Sequence, residues 1–158
     1  MKLAEALALR ADIQKRISGL GDRVEESARV QEGEQPPEDP QELLTQLDEL
    51  FAQLTSLIAR INRTNLSATL PNGATLTDAL AQRDTLALRF RTLDAIADAA
   101  AEKQSRYSRS EIKMVATLNV SALRKQLDEI AQQRRTLETQ IQAANWQVDV
   151  IEEPSGPS

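Results

Sequence analysis

In QELLTQLDELFAQLTSLIARINRTN, residues 41–65, the apolar residues Leu43, Leu47, Leu50, Leu54, Leu57 and Ile61 recur at spacings of 4, 3, 4, 3 and 4. That is a heptad stripe with an aliphatic side chain at every position, the signature of a helix packed along its length against another. Leu44, Phe51 and Ile58 form a second line beside it, each seven residues from the last. Together the lines make an apolar face wider than a two-stranded seam and suited to the inside of a bundle. The stripe runs into a polar cluster, Asn62, Arg63, Thr64 and Asn65. Just before it, Asp39 is placed to cap the helix, with Pro40 at its first position and Glu42 at the third.

Working outward, residues 2–32 predict a first helix, with Leu3, Ala6, Ile13, Ile17, Leu20 and Val24 along one stripe. Gly19 and Gly21 weaken it, and each reads as local tolerance, a close helix contact or a hinge. GEQPPEDP, residues 33–40, is the connector: Gly33 suits the position just past a helix, and the prolines forbid continuation. After the central helix, Pro71-Asn72-Gly73 marks a turn, and 66–76 is compatible with a short hairpin. Thr75 and Asp78 open a third helix over about 76–104, carrying Leu76, Leu80, Leu86, Phe90, Leu93, Ala97 and Ala100.

Residues 105–119, SRYSRSEIKMVATLN, break the helical pattern. Arg106, Arg109 and Lys113 outnumber Glu111, Tyr107 is the only tyrosine, and 111–117 alternates as a short strand would. Asn119 then caps a fourth helix with Leu123, Leu127, Ile130, Leu137, Ile141 and Val148 in heptad register. Arg134 stands at its one core-type position that is not apolar, which reads either as a device for setting register or oligomer state or as a side chain that snorkels at an edge. Trp146, the only tryptophan, is expected to pack inside. Residues 149–158 read as an acidic, disordered tail, leaving 1–148 as a single helical domain.

The expected fold is therefore mainly α: four long amphipathic helices in an antiparallel bundle or coiled-coil hairpins, with short strands conceivable at 66–76 and 111–117. With only 3% aromatic residues, the core is aliphatic.

Composition limits the chemistry. The chain has no cysteine and no histidine. Disulfides, thiolate zinc sites, cysteine nucleophiles and histidine-based triads are excluded. No metal or cofactor set is legible, and an enzyme is not expected. The three acids of the 33–40 connector lack the ligand spacing of a cation site. Formal charge is −5 with dispersed basic residues, so nucleic acid is not the expected partner. No apolar run reaches the length of a membrane span, and the charged N-terminal stretch is unlike a signal peptide, which places the chain in the cytoplasm.

Candidate contact or assembly residues are the polar breaks between stripes: Asn62, Arg63, Asn65, Asp78, Arg83, Arg106, Tyr107, Arg109, Glu111 and Trp146. The wide stripes predict a homo-oligomer, with a two-fold dimer the commonest choice.

Six blocks carry a family resemblance: MKLAEALALRADIQKRI at 1–17, ARVQEGEQPPEDP at 28–40, INRTN at 61–65, TLTDALAQRD at 75–84, RYSRSEIK at 106–113 and QAANW at 142–146. They resemble the small bacterial septicolysin-like family, over nearly the whole chain and in the same order. The resemblance implies a small, mostly uncharacterised helical protein. The family's name implies a membrane-active cytolysin, and no catalytic residues come with it. The leading expectation is a self-associating structural or interaction protein. The alternatives are a cytolysin-like protein and a module binding phosphate or nucleic acid through Arg106, Arg109 and Lys113.

Overall fold

The computed structural model describes residues 1–102 and 112–152. Four helices account for most of them: α1 (Leu3–Ser27), α2 (Pro40–Ser67), α3 (Leu76–Ala101) and α4 (Val120–Gln147). The described residues contain no sheet, and the fold is the expected mainly-α helical bundle. Contacts divide the chain into two compact units, Met1–Thr69 with Ala143–Ser158, and Leu70–Gln142. The sequence reading had expected one domain over 1–148.

In the first unit α1 and α2 form an antiparallel hairpin. Arg16, Leu20 and Arg23 of α1 and Gln46, Leu50 and Gln53 of α2 line one groove, and Arg23 near the end of α1 reaches Glu38 just before the start of α2. Its core is the central stripe: Leu43, Leu47, Leu50, Leu57 and Ile61 are buried, and so are Leu3, Ala6, Ile13 and Leu20 on α1. Each buried leucine or isoleucine contributes roughly 1.5–3 kcal/mol, and Ala6 well below that. The second line behaves otherwise. Leu44 and Phe51 are 42% and 50% exposed, and Ile58 is half-buried. The face is thus narrower in its buried part than expected, because α1 covers one seam of α2 and leaves the flank beside it open.

The connector follows its local chemistry. Asp39 accepts a hydrogen bond from the Gln41 N–H at 2.9 Å and Pro40 opens α2. The first helix is shorter than expected: α1 stops at Ser27. Gly33 is therefore no helix terminus; it sits at φ 87° inside a turn closed by the Glu34 N–H and the Gln31 carbonyl at 3.0 Å. A backbone in that region favours glycine. Arg23 on α1 pairs bidentately with Glu38 of the connector. That pairing lowers the Glu38 carboxyl below the usual carboxylate range and raises the Arg23 guanidinium, the hydrogen bond being the main cause in both. Gly19 and Gly21 lie within an unbroken α1, and a Cβ at either would meet nothing within 4 Å. Close helix approach is not their reason.

In the second unit α3 and α4 are also antiparallel, as their ion pairs show. Arg124 at the start of α4 reaches Asp94 at 3.0 Å and Asp98 at 2.6 Å near the end of α3. Arg83 near the start of α3 reaches Glu138 late in α4 at 3.9 Å. Leu76, Ala79, Leu86 and Ala97 of α3 and Leu127, Ile130, Leu137 and Ile141 of α4 are buried. Both helices start where expected. The Asp78 N–H donates to Thr75 Oγ1 at 3.1 Å and the Ala122 N–H to Asn119 Oδ1 at 3.0 Å.

The expected strands do not form. Residues 66 and 67 belong to α2. The Pro71-Asn72-Gly73 turn is closed by the Leu70 N–H donating to the Ala74 carbonyl at 2.8 Å, with Gly73 at φ 85°. Residues 112–117 are irregular and exposed, and residue 111 lies outside the described part. The strand-like alternation there is not matched by a partner strand among the described residues, and a lone strand has no ladder to stabilise it.

Candidate functional site

Three local arrangements stand out: a clasp at the end of α2, an arginine-lined groove between α3 and α4, and the uncovered apolar flank of α2.

The clasp is built from the first and last described residues of the chain. The Leu3 N–H donates to the Val148 carbonyl and the Val150 N–H donates to the Met1 carbonyl, both at 2.9 Å. Lys2 Nζ adds bonds to the Gln147 carbonyl at 3.1 Å and to Asp149 at 3.0 Å. Successive residues of an extended chain present their polar groups to opposite sides, so residue 151 turns to α2. There the Ile151 N–H donates to Thr64 Oγ1 at 3.0 Å, and the Thr64 hydroxyl donates to the Arg60 carbonyl at 2.8 Å. Arg60 donates to the Ile151 carbonyl at 3.2 Å and to Glu152 at 3.0 Å. Thr64 is only 1% exposed and Val150 only 4%. Residues 149–152 are therefore tied to the body of the first unit, not part of the disordered tail that charge and proline content suggested.

The sequence-predicted polar residues surround this clasp without making it. Asn62 and Arg63 are exposed and Asn65 is half-buried. The residue that carries the bonds is Thr64, between them, with Arg60 one turn earlier. The signal was present: the 4, 3 spacing of the stripe extends from Ile61 to Thr64, so Thr64 occupies a core position. Trp146 is 63% exposed while its neighbour Asn145 is 6% exposed. This reverses the expectation of a buried tryptophan. One helical residue is a rotation of about 100°, and the inward line of α4 through Ile141 continues to Ala144 and Asn145.

Asp78 is exposed and serves the start of α3 through its backbone N–H. Arg83 is half-buried, pairs with Asp84 at 3.1 Å and lines the α3/α4 groove. Arg106, Tyr107, Arg109 and Glu111 lie outside the described residues. The structure therefore brings Arg83 into a cluster whose other members, Arg134 and Arg135, were not among the candidate contact residues. The clue was Arg134 itself, the one charged residue at a core-type position of α4.

No group of acids that could hold a metal ion occurs among the described residues. No helix among them is long and apolar enough to cross a membrane.

A family model described as a family of unknown function (DUF6847) matches residues 10–150. The chain belongs to this family. A solved structure described as a functionally unknown conserved protein from Corynebacterium diphtheriae is 45% identical, with a TM-score of 0.87; the match covers 96% of this chain and 99% of that one. No curated protein matches the chain. These findings correct the septicolysin-like assignment. The matching family is one of unknown function, and neither it nor the solved relative carries a lysin name. The family match spans five of the six blocks in full and the first from residue 10, and neither match implies a cytolytic activity.

Proposed function

We propose that this DUF6847 member is a cytoplasmic, self-associating helical protein that acts through protein contacts rather than catalysis, with no cofactor or metal and without nucleic acid as its main partner. The carrying observation is the uncovered flank of α2. Leu44 and Phe51, seven residues apart, are 42% and 50% exposed, on a helix whose other seam is buried at Leu43, Leu47, Leu50, Leu57 and Ile61. A heptad-spaced apolar line fits another helix. A second copy of the chain supplies an identical line by two-fold symmetry. The lack of cysteine and histidine supports a non-catalytic role.

Size-exclusion chromatography with light scattering tests the reading. A discrete multiple of the 17.5 kDa chain mass is expected. A monomer that persists at high concentration would overturn it.

A further inference from the structure

The α3/α4 groove is a trough of about 500 Å³. Ala87 of α3 and Ala131 of α4 are part of its lining, and larger side chains there would fill the space. Phe90 also lines it, and the Arg134 guanidinium lies 5.8 Å from its ring centroid. That is cation–π range, and the stack holds the guanidinium in place before anything binds. Arg134 is half-buried, and among the described residues neither it nor Arg135 has a carboxylate within salt-bridge distance. Arg83, on the opposite helix, is paired weakly. Asp84 is its chain neighbour and largely exposed, and Glu138 stands at 3.9 Å. Exposed pairs of this kind contribute little and exchange readily.

The lining thus sets three guanidiniums against two carboxylates over an apolar floor. One positive charge is left unmatched, the charge that a single oxyanion group carries. A guanidinium presents parallel N–H groups that match the paired oxygens of a carboxylate or phosphate. We propose that this groove binds a small organic anion. Arg134 and Arg135 take its oxyanion group, Arg83 assists from α3, and its apolar body rests on Ala87 and Ala131.

Phenyl phosphate and benzoate are suitable probes, since they share an apolar ring and differ in the oxyanion. Each is titrated into the full chain at low salt in a phosphate-free buffer, followed by calorimetry and by backbone amide shifts. Saturable binding at one site per chain is expected, with perturbed amides confined to α3 and α4. The tighter probe identifies the anion class. Arg134→Gln is expected to weaken binding by about tenfold, the loss of a charge-assisted bond. Arg135→Gln, at an exposed position, gives a smaller loss and keeps the test valid if circular dichroism finds Arg134→Gln unfolded. Arg134→Lys retains charge without the planar fork and falls between. Arg16→Gln, in the first unit, leaves affinity unchanged. Absence of saturation with both probes into the millimolar range, or equal affinity in wild type and Arg135→Gln, would overturn the proposal.

Discussion

Thr64 shows how much one hydroxyl can organise. It is buried, accepts from the Ile151 N–H and donates to the Arg60 carbonyl, so a single side chain links α2 to the segment that follows α4. Thr64→Val keeps the shape and removes the acceptor. The Ile151 N–H then loses its partner, which costs about 1–3 kcal/mol. Urea unfolding should find the variant less stable by that amount, and a change of only a few tenths would mean that this one hydrogen bond does not hold the clasp. Thr64 was legible as a core position from the heptad spacing but was read as part of a polar cluster, because threonine between asparagines and an arginine looks like a helix end. Its role depends on a backbone 87 residues later in sequence, and no local pattern carries that information. Trp146 failed for a different reason. A large aromatic residue argues for burial on average, but on a helix the register decides, and the inward line passes through Asn145.

At the scale of elements, the helices were the most legible part. The stripe on α2, the caps at Asp39, Thr75 and Asn119, and the Pro-Asn-Gly turn are local signals with local causes, and each one formed as expected. What failed was whatever needed a partner. The strand-like stretch at 112–117 has the alternation but no neighbouring strand among the described residues, and in the second apolar line of α2 Leu44 and Phe51, which α1 does not cover, stay exposed. The connector adds a charged contact that the sequence left open. Three acids at 33–40 read as a solvated turn, yet Glu38 is held by Arg23. Because this lowers the folded-state pKa of Glu38, the contribution is present above the unfolded carboxylate pKa and is lost as pH falls through the folded value. Wild type should therefore lose stability relative to Glu38→Gln as pH drops from about 5 to about 3. The pair is exposed, so the effect is small, but its sign is fixed. Parallel urea midpoints for the two proteins across that range, if they did not converge on acidification, would remove the pair from the account.

For the molecule as a whole, the sequence could not say that residues 1–3 meet residues 147–150. Composition alone marks 149–158 as a tail, and only a backbone placed against Met1–Leu3 and Thr64 makes part of it structural. That placement joins residues 147 apart, as Lys2 and Asp149 are, and it returns the last turn of α4 to the first unit. Truncation after Gln147 tests this directly. It removes a Val150 that is 4% exposed, worth roughly 1.5–3 kcal/mol. It also strips the partners from the Leu3 N–H and the Met1 carbonyl, although these gain access to water and so add less than a buried loss would. A fall in stability of about 3 kcal/mol is expected. The loss should be larger than that of Thr64→Val, and the two should not add, because both act on one contact. Truncation should leave the α3/α4 pairing untouched, since Arg124 with Asp94 and Asp98 lies wholly in the second unit. Amide hydrogen exchange separates the outcomes. Faster exchange confined to α1 and the end of α2 would place the clasp as the closure of the first unit. Uniform acceleration across all four helices would mean that the two units unfold as one, and an unchanged profile would return 149–152 to the tail that its composition suggested.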